Sequence, residues 1–294
     1  MFELVCAKGS SFYIQSPAKI GLVKLSESEV VLIDSGNDKD AGRKIRQILD
    51  ANHWKLSAIY LTHSNADHIG GCQYLQRQTG CKVYAPGIEC DFSRHTLLEP
   101  SFLYGGYPCK ELRNKFLMAQ SFDCEELTAQ VLPEGWELIE LPGHFFDMVG
   151  YRTADDVLYL ADAFSSVETL DKYRIGFIYD AGAYLETLEK LMELEAAVFV
   201  PSHTEAAEDI KELCRYNMDV VLEIAARIKE FCAEGISTEV LLQKLFKHYG
   251  LSMNMGQHVL VGSTVRSYLG WMKDRGELDF YDEYFPQTRK GIEN

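Results

Sequence analysis

Two stretches of this 294-residue chain run through the same order of elements, and each ends apolar strands on side chains able to bind a metal ion. In the first, "SFYIQ", "IGLVKL" and "EVVLIDSG" are rich in β-branched and aromatic residues and punctuated by Gly, Pro and Ser, which predicts short strands between residues 11 and 35. "DKDAGRKIRQILDAN" then carries Ile45, Ile48 and Leu49 as one apolar stripe and predicts a helix. "LSAIYLTH" is a continuous apolar run suited to a strand buried on both faces. This β-β-β-α-β order ends on His63. The second pass starts near residue 128 with "TAQVLPEGWELIELPGH" and "MVGYRTADDVLYLADA", continues through a helix at "AYLETLEKLMEL", and finishes on "AAVFVPSH". Asp162 and His203 therefore also close strands, where a rigid sheet can hold reactive groups in fixed geometry.

Between the passes, residues 91–127 form a less regular, aromatic-bearing segment that reads equally as a lid or substrate wall and as a structural loop. Its Tyr104, Tyr107, Arg113 and Lys115 could line a pocket, although packing and solvated charge explain them as well. From residue 206 the texture is helical: Ile210, Leu213, Val220, Val221, Ile224, Ile228 and Phe231 keep a helical period. "STEVLLQKLFKHYG" has a Ser/Thr start and a Gly stop, "GSTVRSYLGWMKDRG" repeats that logic, and a strand at "ELDFYDEYF" follows. Three helices and a hairpin is the order of a winged-helix-like module. Two units result, 1–205 and 206–294, with 91–127 inserted in the first.

The composition, 47% hydrophobic and 25% charged, is that of an ordinary globular protein. A formal charge of −15 opposes nucleic acid and anionic membranes, and no basic patch offsets it. Eight cysteines without a C-x-x-C pair read as reduced, mostly buried thiols. "MFELVCAKGSSFYIQ" has no secretory pattern, and no 18-residue apolar run occurs, so a cytoplasmic protein without a membrane span is expected.

The chemistry concentrates in "YLTHSNADHIGGC", where His63, Asn65, Asp67 and His68 follow a strand within six residues. On a tight loop leading into a helix such side chains can turn toward one point, and imidazole with carboxylate suits zinc, iron or manganese. "THSNADHIGG" resembles the H-x-H-x-D-H signature of the metallo-β-lactamase superfamily, with its usual Gly-Gly. "LIDSG" (Asp34), "LPGHFFDMVGY" (His144), "LYLADAFS" (Asp162) and "VFVPSH" (His203) follow in the family's order, and the resemblance spans roughly residues 10 to 205. It implies an α/β fold, an αββα sandwich of two mixed β-sheets flanked by helices, here with the winged-helix-like extension. It also implies one or two divalent metal ions (Zn, Fe or Mn): His63 and His144 in a first site, Asp67, His68 and His203 in a second, and Asp162 bridging.

Asn65 stands where the family has its second histidine. An amide oxygen is a harder and weaker donor than imidazole nitrogen, so the first site should bind less tightly. Asn65 could coordinate through that oxygen, leave the first site to water, or make the centre mononuclear. The implied activity is hydrolysis of a small ester, thioester, lactone or phosphoester, similar to the glyoxalase II-like branch, with Asp67 the catalytic residue that orients water and Asp34 and Thr62 fixing an imidazole.

Two other classes compete. Nucleic-acid processing is prompted by the C-terminal module, yet from residue 209 onward eleven Lys and Arg face thirteen Asp and Glu, without a basic recognition helix. A non-catalytic metal sensor with a degenerate first site is the other. A diiron oxygen-reducing role would want a carboxylate at Asn65 and a flavin domain. Cys72 reads as a small buried thiol, His53 and His95 as surface residues, and His248 and His258 as flanking a loop. Tyr268, Trp271 and Met272 on the last helix read as core or as a homodimer interface.

Overall fold

The computed structural model describes residues 2–281 and 285–288. A seven-stranded sheet carries, in spatial as in chain order, β1 (Glu3–Lys8), β2 (Ser11–Gln15), β3 (Ile20–Lys24), β4 (Glu29–Ile33), β5 (Lys55–Tyr60), β6 (Lys82–Ala85) and β7 (Glu125–Glu126). Its first four strands run antiparallel and β4 to β7 run parallel. β1 is an addition to the three strands that the sequence predicts before the first helix. A second sheet has β8 (Glu137–Glu140), β9 (Val149–Arg152), β10 (Val157–Ala161) and β11 (Val198–Pro201), in the order β11-β10-β9-β8, with only β10 and β11 parallel. Both sheets are mixed.

Parallel neighbours need crossovers. α1 (Lys39–Ala51) joins β4 to β5, with Asp38 capping its first turn through Asp40 and Ala41 N–H groups. α2 (Ala66–Ile69) and α3 (Cys72–Thr79) join β5 to β6, α4 (Gly87–Arg94) and α5 (Leu98–Tyr104) follow β6, and α6 (Val167–Tyr173) and α7 (Ala181–Glu193) join β10 to β11. Three apolar layers result. Ile45, Leu49, Cys72 and Leu75 pack on the outer face of the first sheet, Val31, Tyr60, Tyr151 and Tyr159 lie between the sheets, and Leu158, Phe164 and Leu188 lie outside the second. That is the helix-sheet-sheet-helix sandwich.

The C-terminal residues form α8 (Lys211–Phe231), α9 (Thr238–Tyr249) and α10 (Met255–Asp274), then β12 (Leu278–Tyr281) paired with β13 (Phe285–Thr288). Helices and strand pair keep the expected order; likeness to a winged helix extends no further than that order. Residues 282–284 of the predicted closing strand lie outside the described residues. α10 starts earlier than its predicted signal at Ser263 and Thr264. Asn254 caps it by accepting from Gln257 N–H, while Thr264 Oγ1 accepts from Ile178 N–H. Ile224, Leu245, Val265 and Tyr268 share one apolar cluster with Leu158 and Phe164, so the three helices pack over the second sheet. Tyr268 and Met272 are core. No helix among the described residues is long and apolar enough to cross a membrane.

Candidate metal centre

The predicted residues meet at one edge of the sandwich, where β4, β5, β10 and β11 end. Asp34, just beyond β4, holds a left-handed φ of 63° and is buried. Its Oδ1 accepts from Thr62 N–H (2.8 Å), and its Oδ2 accepts from Thr62 Oγ1 (2.8 Å) and His68 Nδ1 (2.8 Å). Thr62 Oγ1 has spent its proton on Asp34, so at 3.0 Å from His63 Nδ1 it must accept. His63 and His68 thereby carry a proton on Nδ1 and turn their Nε2 atoms inward. His203 is fixed likewise, its Nδ1 donating to the Pro17 carbonyl at 2.9 Å. One carboxylate, one hydroxyl and one carbonyl set three tautomers.

The inward atoms fall into two groups within 4.8 Å, Asp67, His68, Asp162 and His203 in one, and His63, His144 and Asp162 in the other. Asp162 Oδ1 is 3.1 Å from His68 Nε2, and its Oδ2 is 3.1 Å from His203 Nε2 and 3.7 Å from His144 Nε2. Asp67 Oδ2 lies 3.3 Å from His203 Nε2. Asp162 is aimed inward by an irregularity at the end of β10, where the register with β11 shifts and Ala161 takes φ 51°. Among the described residues His63 Nε2 is buried without a hydrogen-bond partner, and His68 Nε2 and Asp162 Oδ1, although 3.1 Å apart, are buried without an aligned hydrogen bond. Buried polar atoms seldom go unpaired, and three converging on one space fit a cation.

Charge in the cluster is arranged around that space. Burial, then His68, holds the His63 imidazolium well below its usual range. Burial would lower His68 and His203 too, but Asp162 first among the nearby carboxylates outweighs it, raising His68 well above the ordinary value and His203 to about 10. Asp162 is held low against its own burial by His203 and His68.

Asn65 opens α2 without capping it. Its Nδ2 donates to Glu99 Oε1 (3.0 Å) and its Oδ1 faces His144 Nε2 (3.1 Å), so the amide oxygen points to the His63 side of the centre. Glu99, buried on α5, and Glu89, buried on α4, are supporting residues that the sequence reading misses. They lie 34 and 25 positions from their partners, and no local pattern marks them. Glu89 accepts from Ser64 N–H, Ser64 Oγ and Asp147 N–H, tying the His63 loop to the His144 loop. Cys72 is a buried thiol donating to Ser35 Oγ, as expected. Tyr107 and Arg113 pair with each other on the surface, and Lys115 pairs with Asp38.

Burial pushes the Glu89 carboxyl up to about 7 from 4.5, despite its three donors. Native protein therefore keeps a proton that the unfolded chain loses between those values, and stability falls as pH rises through that window and levels above it. The loss should be on the order of 3 kcal/mol. Denaturant titrations from pH 4.5 to 7.5 on wild type and Glu89→Gln should show the wild type losing this much relative to the variant; parallel curves would exclude it.

The metallo-beta-lactamase superfamily model matches residues 15–203, and the chain belongs to that superfamily. It is similar, at 30% identity over 158 residues, to a hydroxyacylglutathione hydrolase of Bradyrhizobium sp. (strain BTAi1), covering 53% of this chain and 50% of that protein. To the probable metallo-hydrolase YqjP of Bacillus subtilis (strain 168) it is 26% identical over 251 residues, 70% of this chain and 74% of that one. The chain spans about half the length of the hydroxyacylglutathione hydrolases it matches. Among solved structures, a beta-lactamase domain protein from Burkholderia ambifaria superposes with a TM-score of 0.74 at 14% identity, over 98% of this chain and 94% of that one. A metallo-beta-lactamase family protein from Thermus thermophilus gives 0.70 at 15% identity, over 98% of each. These two carry the fold over the C-terminal helices as well.

Proposed function

We propose that the protein is a metal-dependent hydrolase of a small ester, thioester, lactone or phosphoester, with His63, Asn65 and His144 on one divalent cation, Asp67, His68 and His203 on another, and Asp162 on both. The observation that carries this is the convergence of three buried atoms without an aligned hydrogen bond among the described residues, His63 Nε2, His68 Nε2 and Asp162 Oδ1, on a space ringed by oriented imidazoles. Divalent cations there supply an acidified water and polarise the substrate oxygen. The chain's own part is positioning. Asp34 and Thr62 hold two imidazoles in the binding tautomer, and Asp67, at 36% side-chain exposure, is the acidic group on the open side that can orient the water. The buried His63 side excludes bulk solvent.

The names of the relatives make thioesters of hydroxy acids with glutathione the first substrates to try. Protein loaded with Zn, Mn or Fe(II) should hydrolyse at least one class of an ester, thioester, lactone and phosphodiester panel and lose that activity to a chelator. Metal-loaded protein inert across the panel would overturn the reading.

Asn65 makes a second test. Titration of wild-type apoprotein should show two ions of unequal affinity. Asn65→His should tighten the weaker one, and Glu99→Ala, by freeing the amide, should weaken it a further ~10–100-fold. Two equally tight ions in wild type would contradict the weak amide donor.

A further inference from the structure

A cavity of about 370 Å³ opens between α1, α3 and the chain at 115–120. Both helices follow parallel strands, β4 and β5, and the crevice beyond the carboxyl ends of such strands is where α/β sheets collect ligands. Its walls are fixed. Gly70 packs backbone on backbone against Asn37, so closely that a Cβ at Gly70 would lie 2.3 Å from the Asn37 carbonyl carbon. The chain just beyond the 115–120 wall is tied to α3: Gln73 Nε2 donates to the Ser121 carbonyl (2.9 Å), Gln76 Nε2 donates to the Asp123 carbonyl (2.8 Å), and Gln76 Oε1 accepts from Asp123 N–H (3.1 Å). Among the described residues that line it, none is a candidate metal ligand.

The lining combines an apolar surface with unmatched positive charge. Tyr74, Met118 and Ala119 supply the first. Lys115 Nζ is matched by Asp38 Oδ2 at 2.7 Å, and Asp38 is the one carboxylate in the lining among the described residues. Lys39 and Arg77 are exposed on α1 and α3, line the same cavity, and have no side-chain hydrogen bond or ion pair among the described residues. Two cations are therefore left over at one concave site of a chain whose formal charge is −15. Such a local field draws anions to a surface that elsewhere repels them. A phosphoryl group carries about −1.5 to −2 at pH 7, which two cations match, whereas a carboxylate brings a single charge. The volume suits a small molecule with an apolar body.

We propose that this cavity binds a phosphate monoester with a small flat apolar body, its phosphoryl group held by Lys39 and Arg77 and its body against Tyr74 and Met118. The site is separate from the metal centre and stands whether or not the protein is a hydrolase.

The test is calorimetric titration of full-length, metal-loaded protein at pH 8 with phenylphosphonate, whose carbon–phosphorus bond resists ester hydrolysis. Wild type should bind one molecule per chain at this site. Lys39→Ala and Arg77→Ala, both at exposed positions where folding is unaffected, should each weaken binding about 10-fold. Methylphosphonate, lacking the ring, should bind about 10-fold more weakly than phenylphosphonate, and added NaCl should weaken both. Benzoate binding as tightly as phenylphosphonate would overturn the phosphoryl assignment. The metal ions themselves are the competing anion site. Binding that survives in the Lys39→Ala, Arg77→Ala double variant and disappears when a chelator strips the metal belongs to them and overturns the proposal, as does the absence of binding in wild type. An inert hydrolase panel leaves each of these outcomes unchanged, so the two readings fail separately.

Discussion

Asp162→Asn is expected to remove at least one of two bound ions per chain and to lower kcat/KM by well over a hundredfold. Asp162 is the single side chain common to both groups of inward atoms, its two oxygens serving His68 on one side and His203 and His144 on the other. Asparagine keeps the shape but has one acceptor, so its amide N–H₂ must point at one set of imidazole nitrogens that are bare for a cation. Loss of a supporting partner alone costs ~10–100-fold in metal affinity, and a group that touches both ions should cost more. Elemental analysis beside steady-state kinetics would show both effects. Two ions and near wild-type rate in Asp162→Asn would mean that Asp162 does not bridge, and the two-ion reading would fall with it.

What could be read from the sequence follows from how far apart the cooperating residues lie. The ligand candidates sit at strand ends, and an apolar strand followed by a loop ligand is a local pattern, so His63, Asp67, His68, Asp162 and His203 could be picked out together. Asp34 and Thr62 also sit beside strands, and their support of His63 and His68 is where the sequence placed it. The orientation of Asn65 was not legible, because Glu99 decides it from a helix within a segment that reads as lid or loop. Glu89, on α4, was missed as well. In sequence each is one more charged residue in a helix, and only the packing of α4 and α5 against the centre buries them. At the C-terminus the helical period gave α8 and α9 closely. The start of α10 was misplaced because Thr264 looks like a cap, while its hydroxyl is spent on the chain before α7. That the buried Tyr268 hydroxyl finds no partner among the described residues could not be foreseen, since an aromatic at helical spacing is ordinary core until its neighbours are known.

Gly143→Ala is expected to be the most disruptive single methyl in the chain's catalytic half. Gly143 precedes His144 and adopts φ 120°, a conformation that L side chains rarely reach. A Cβ there would lie 2.3 Å from the backbone nitrogen of Tyr184 and 2.4 Å from its Cα, in the first turns of α7. The Gly143 carbonyl also accepts from Tyr179 N–H (2.9 Å) and Asp180 N–H (3.0 Å), so neither segment can move away without breaking these bonds. Backbone strain and overpacking each cost about 1–3 kcal/mol, so a combined loss of roughly 4 kcal/mol is expected. Any relief by shifting the loop carries His144 with it and opens its 3.1 Å approach to Asn65, so the weaker ion should be lost from whatever protein still folds. Gly80→Ala is the control, a left-handed glycine with φ 71° and no atom near its added Cβ, where only the conformational cost of about 1 kcal/mol applies. Denaturant midpoints and metal content of the two variants decide the matter. If Gly143→Ala unfolds no more easily than Gly80→Ala and keeps its ions, the close approach of the His144 loop to α7 is not what holds that histidine in place.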